Sequence, residues 1–262
     1  MSDARVAVVT GGARGIGRGI ALMLAEPGTI VHVTDRDSRD QPHPVLPGTV
    51  EDTAEEVTAR GGTGIAHVID HTDDEAVAAL FAELGEQHGG VDLVVANAFD
   101  GNALPFAPAP FWELPMVHWQ NMIDAGLRSH LATARNAAPL LIERRGLFVM
   151  TGYAVTETAG HVFYDLAMNG ISRLATALSH DLAPHGVTAL TLSPGFTSTE
   201  AIRAAFGDTP LPPGVDTVEH VGNTVRALWN DPNIGALSGQ TVTVAELAER
   251  YRLTPDGQET TT

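Results

Sequence analysis

The run Thr10-Gly11-Gly12-Ala13-Arg14-Gly15-Ile16-Gly17 leaves few folds open to this chain. It follows an apolar β-branched stretch, Arg5 to Thr10, and opens an amphipathic segment, Ile16 to Ala25, that Pro27-Gly28 ends. A strand, a glycine turn and a helix in that order make an anion cradle. Gly11 allows the tight turn, and Gly15 lets the backbone approach a pyrophosphate. Gly17 lets the helix pack on the strand. The free N–H groups of the helix N-terminus then face the phosphates.

The same alternation continues along the chain. Apolar runs at Ile30 to Thr34, Gly64 to Ile69, Asp92 to Ala96, Leu147 to Thr151 and Val187 to Leu192 read as strands. Amphipathic stretches at Glu51 to Arg60, Asp74 to Gln87, Trp119 to Leu141 and Val162 to Leu182 read as helices. Strands apolar on both faces and joined by helices predict an α/β fold, a Rossmann-like doubly wound parallel sheet in a single domain over residues 1–262. Arg39 to Thr49, rich in Pro, Gly and polar residues, reads as a surface loop. Ala98 to Pro115 follows a strand's C-terminal end, where such sheets bind ligands, and is a candidate pocket wall.

Charge and composition exclude several roles. With 15 basic and 32 acidic residues the net charge is −17, which repels nucleic acid and anionic lipid, so neither is expected as a partner. There is no cysteine, hence no disulfide, thiolate nucleophile or Cys-ligated zinc. The eleven histidines form no metal-binding spacing, and no metal site is expected. No apolar run reaches the roughly 20 residues of a membrane span, and no signal peptide is legible at the start, so the expected location is the cytoplasm.

Asp35 ends the second strand, in Val33-Thr34-Asp35-Arg36. A carboxylate there can accept both ribose hydroxyls and repels a 2′-phosphate, which favours NAD(H). Arg14 and Arg36 pull toward NADP(H), since a guanidinium can hold that phosphate. NAD(H) is the favoured cofactor and NADP(H) stays open.

The spacing Gly-x-x-x-Gly-x-Gly resembles the short-chain dehydrogenase/reductase pattern, and the resemblance extends over nearly the whole chain. Asn97-Ala98 resembles the family's Asn-Asn-Ala-Gly segment, with Phe99 in place of glycine. Asp70 is similar to the family aspartate that borders the adenine. Pro194-Gly195-Phe196-Thr197-Ser198-Thr199 resembles the turn that holds the nicotinamide amide, with Thr199 at its hydroxyl position. Ile16 and Tyr164 join the cofactor set that the resemblance implies.

The resemblance also implies a catalytic set. Tyr164 matches the family's proton-transferring tyrosine, but Met168 stands where its lysine should be, and Asn169 is turned away around the helix. The serine position falls on Thr151, or on Tyr153 if counted from the strand. The relay asparagine falls on Gly126, with His130 and His161 as candidate polar substitutes. Such a set implies an NAD(P)-dependent oxidoreductase, a carbonyl reductase with a weakened proton relay. The alternatives are non-redox chemistry on the same scaffold, as in a lyase, cyclase or isomerase, or a cofactor-binding protein without turnover. Residues 199–220 are the expected substrate-side segment. Phe106, Phe111, Trp112 and Phe206 suggest an apolar small-molecule substrate, and the assembly expected is a homodimer or homotetramer.

Overall fold

In the computed structural model, which describes residues 4–101, 109–153 and 158–254, β1 (Arg5–Thr10) is buried along almost its whole length. Its side chains alternate between two cores, as a period of two requires. Val6 and Val8 join one apolar cluster with Phe148 and Met150 of β5 (Leu147–Thr151). Ala7 and Val9 join a second with Leu147 and Val149. Each core forms beneath one layer of helices. Helices α3 (Asp74–His88), α4 (Ser129–Arg144) and α5 (Val162–Leu182) cover the first. Helices α1 (Gly15–Met23), α2 (Val50–Ala59), α7 (Val218–Asn230) and α8 (Val244–Tyr251) cover the second. Burying a side chain such as Phe148 stabilises the fold by roughly 1.5–3 kcal/mol.

The sheet has seven strands in the order β3-β2-β1-β4-β5-β6-β7, all parallel. Here β2 is Thr29–Asp35, β3 is Thr63–Val68, β4 is Leu93–Ala96, β6 is Thr188–Ser193 and β7 is Thr241–Thr243. The chain winds outward from β1 to β3, then returns to place β4 on the other side of β1. That reversal opens a crevice beyond the C-terminal ends of β1 and β4. The doubly wound parallel sheet expected from the sequence is the one observed.

Two departures matter for the site. The expected helix from Trp119 to Leu141 is two elements: a π-helix over Trp119–Arg128, followed by α4. A π-turn is wider than an α-turn and is frequent at functional sites. The C-terminal elements α6 (Glu200–Phe206), α7, β7 and α8 lie beyond the runs read from the sequence; α6 and β7 are only seven and three residues long. Arg39 to Thr49 is irregular, as its composition implies.

Candidate active site

The glycine turn is built as its sequence requires. Gly11 and Gly15 lie at φ +65° and +58°, a left-handed conformation that a β-carbon disfavours. A Cβ on Gly17 would come within 2.1 Å of the Gly11 carbonyl oxygen and 2.5 Å of Asn97 Nδ2. Gly17 therefore serves the closeness of the turn to α1 more than helix-on-strand packing. Gly12 N donates to Thr34 O at 3.0 Å and ties the turn to β2.

Asn97 braces three strand ends. Its Nδ2 donates to the carbonyls of Thr10 and Gly11, each at 3.1 Å, and its Oδ1 accepts from Thr151 Oγ1 at 3.1 Å. Thr10 Oγ1 in turn accepts from the backbone N–H groups of Asn97 and Ala98, at 2.9 and 3.0 Å. Gly11, Asn97, Ala98 and Thr151 thus become neighbours on one cleft wall.

At the β2 end, Asp35 accepts from Ala13 N at 3.0 Å and Asp37 N at 3.1 Å. Burial raises its carboxyl above the usual range despite those two hydrogen bonds. The two nearby guanidiniums are both engaged. Arg14 holds Asp37 at 2.5 Å and the carbonyls of Pro47 and Gly48 at 3.0 Å each. Arg36 pairs with Asp100 at 2.9 Å. Asp70 is partly buried, which would raise it, but hydrogen bonds from Thr72 N (2.8 Å) and Oγ1 (2.7 Å) win and hold it low.

One contact carries no sequence signal. Gly15 N donates to Glu200 Oε2 at 2.8 Å. A carboxylate is therefore seated at the N-terminus of α1, where the helix dipole and a free N–H favour an anion. Glu200 starts α6, and Thr199 caps that helix by accepting from Ile202 N at 3.3 Å. Pro194, Gly195 and Thr199 line the cleft. Phe196 does not: its ring is 46% exposed and lies 6.0 Å from Phe206. Ser198 N and Asp216 N, bonded to Asp216 O (2.8 Å) and Phe196 O (3.0 Å), strap the start of the 199–220 segment to its far end.

At the other end of the cleft, Tyr164 sits in the first turn of α5 and is partly buried. Burial first, then Tyr153 and Asp165, push its phenol up to about 12. Met168, one turn later, is buried and lines the same cleft, as do Thr151 and the 39%-exposed Tyr153. Asn169 points away and donates to Asp165 O at 2.9 Å.

Several candidates from the sequence take other places. His130 is buried and does not line the cleft; Phe99 rather than His130 occupies the space beside Gly126, where an added Cβ would meet Phe99 Cδ2 at 2.8 Å. His161 caps α5, accepting from Tyr164 N at 3.4 Å. Phe111 and Trp112 are exposed, at 66% and 72%, and neither they nor Phe206 line the cleft. Phe106 lies outside the described residues. Among the described residues, no group of three or more His, Asp or Glu side chains could hold a metal ion, and no helix is long and apolar enough to cross a membrane.

A glycine cradle at the switch point of a doubly wound sheet, with a carboxylate at the end of β2, defines a dinucleotide-binding protein. Comparison with known proteins narrows this. Residues 11–245 match a family described as enoyl-(acyl carrier protein) reductase. The chain is 34% identical to the mouse (Mus musculus) dehydrogenase/reductase SDR family member 1, covering 95% of this chain and 82% of that protein. It superposes on a short-chain dehydrogenase from Mycobacterium thermoresistibile with a TM-score of 0.82 at 25% identity, covering 94% of this chain and 87% of that one. A short-chain dehydrogenase from Burkholderia cenocepacia J2315, solved in complex with NADP, matches with a TM-score of 0.76 at 25% identity over 92% of this chain and 96% of that one. The chain belongs to the short-chain dehydrogenase/reductase family and is an oxidoreductase of NAD(P)-binding type.

Proposed function

We propose that this protein is a carbonyl reductase that favours NAD(H), with Tyr164 as the proton donor. The observation that carries the reading is Tyr164 itself, a phenol held neutral at one end of a cleft whose other end is a phosphate cradle. The residues fit a dinucleotide. Gly15 N already takes an anionic oxygen, that of Glu200, so the donor is placed for a phosphate. Ile16 and Gly17 open the helix behind it. Asp35 would meet the adenosine ribose, Asp70 the adenine edge, and Asn97, Ala98, Pro194, Gly195 and Thr199 the nicotinamide side.

When bound in its reduced form, the cofactor supplies the hydride that reaches the carbonyl carbon. Tyr164 gives its hydroxyl proton to the carbonyl oxygen. Thr151 turns its hydrogen from Asn97 Oδ1 to that same oxygen and steadies it. Met168 stands where the family places a lysine, so no cation from that position draws the phenol toward phenolate. An acid that stays protonated suits reduction better than alcohol oxidation.

The cofactor preference follows from the pairing around Asp35. Its partly buried carboxylate repels a 2′-phosphate, and Arg14 and Arg36, which could attract one, are bound to Asp37 and Asp100. Calorimetric titration with NADH and NADPH tests this; tighter NADPH binding would show that the arginines outweigh Asp35. A carbonyl panel followed by cofactor absorbance tests turnover. The apolar side chains around Tyr164 also favour a second reading, non-redox proton transfer, and that reading predicts substrate conversion with no change in the cofactor. The substrate is a small molecule, received between Tyr153 and the start of the 199–220 segment. We further propose a cytoplasmic homodimer or homotetramer, supported by the exposed Leu131 on α4 and Leu166 on α5. Light scattering at 27.5 kDa would overturn the assembly.

A further inference from the structure

Phe99 leaves β4 two residues after Asn97, and its ring is seated in a notch made by two glycines. A Cβ on Gly101 would lie 2.1 Å from Phe99 Cε1, and one on Gly126 would lie 2.8 Å from Cδ2. Neither position accepts a side chain while the ring is in place, because close-packed interiors leave no room for such overlaps. Gly126 belongs to the π-helix, so the ring spans from the end of β4 to that element.

The same ring meets Tyr164. The two centroids are 6.2 Å apart and the planes are inclined at 77°, an edge-to-face pair. Met168 continues the apolar wall one turn along α5. On this side, then, the reacting phenol faces a benzene ring and a thioether.

We propose that Phe99 is a positioning residue for Tyr164: locked between Gly101 and Gly126, its ring fixes the orientation of the phenol and keeps water from the π-helix side of it. The proposal rests on the reading of Tyr164 as proton donor and specifies what keeps that donor protonated. The ring packed against the phenol takes the place of solvent on that side, so the ionised form is disfavoured. The raised phenol agrees with this arrangement.

Three variants test it from two directions. Phe99→Gly removes the ring. Gly126→Ala drives the ring from its notch and leaves its atoms intact. Phe99→Leu keeps an apolar side chain of similar reach. The Tyr164 phenol is titrated by its near-ultraviolet absorbance, with Tyr164→Phe as the blank that subtracts Tyr153 and Tyr251. The midpoint is expected to fall by about one pH unit in Phe99→Gly and Gly126→Ala and to stay near the parent value in Phe99→Leu. Carbonyl reduction should slow in the first two, with KM for NADH within about twofold of the parent. An unmoved midpoint in both overturns the proposal. If Phe99→Gly fails to fold, which circular dichroism reports, Gly126→Ala decides alone. Full turnover in Tyr164→Phe would instead remove the acid assignment, while the absorbance titration would still decide what Phe99 does.

Discussion

The two ends of the cleft are built in opposite ways. At the β2 end the charged groups have partners: Arg14 with Asp37, Arg36 with Asp100, Asp70 with Thr72, and Asp35 with two backbone N–H groups. At the Tyr164 end the phenol stands among Phe99, Tyr153 and Met168, with Asp165 beside it in sequence, and it is pushed up to about 12. The first end is wired in advance, so a ligand arriving there exchanges existing contacts for similar ones. The second is more apolar, and partial burial there disfavours the phenolate. On the proposed reading, preference between cofactors belongs to one end and the direction of proton transfer to the other.

The sharpest break of this contrast is Tyr164→Phe. Loss of the only acid in the proposed step should lower carbonyl reduction by about 10²–10⁴-fold and NADH affinity far less. Equal losses in both would mean that the two ends are not separable.

A lysine at the more apolar end should undo its character. Met168→Lys places a cation one turn from the phenol. At a phenol of about 12, on the order of one molecule in 10⁵ is phenolate at pH 7. An adjacent positive charge should raise that share tenfold or more. Alcohol oxidation near neutral pH should rise in proportion, and its pH profile should move to lower pH. Fast oxidation by the unaltered enzyme at pH 7, abolished by Tyr164→Phe, would show that another group supplies the charge.

The wired end has a weakness to acid. Below it, His32 contacts His67 at 2.9 Å and His88 at 3.0 Å, and His71 bridges Thr34 and Thr133 at 2.6 and 3.2 Å. Burial lowers His32 to about 3 and His71 to about 4. Both fall below the ordinary value near 6.5, so their neutral forms contribute stability that is fully present above that pH. It is lost as pH falls toward 4 and then 3. At pH 5 the loss is roughly 2 kcal/mol for each. Thermal unfolding should show Tm falling between pH 7 and pH 5, with a shallower fall in His32→Leu; a flat profile in the parent protein would contradict the buried-histidine account.

The smallest effect sharpens the comparison within the cradle. Glu200→Ala removes the carboxylate from Gly15 N. NADH should then bind about two- to fivefold more tightly by titration, as loss of an anion worth about 0.3–1 kcal/mol at a helix N-terminus implies. Weaker binding would mean that Glu200 supports the bound cofactor rather than competing with it.

What the sequence by itself determined is local. Unbroken apolar runs marked β1 and β5 over their full lengths, because both strands are buried on both faces. Gly11 announced a tight turn, Gly15 a close approach of the backbone, and Tyr164 and Met168 one helical face, because these properties depend on neighbours a few residues away. Only the tertiary structure decided who meets whom across the chain. It put Glu200 on Gly15, 185 residues earlier, Asp37 and the Pro47-Gly48 carbonyls on Arg14, and Phe99 in the space beside Gly126. It also turned Phe111 and Trp112 outward and widened Trp119–Arg128 into a π-helix. None of these can be read from periodicity, because each is a contact between surfaces whose approach is set by the winding of the sheet.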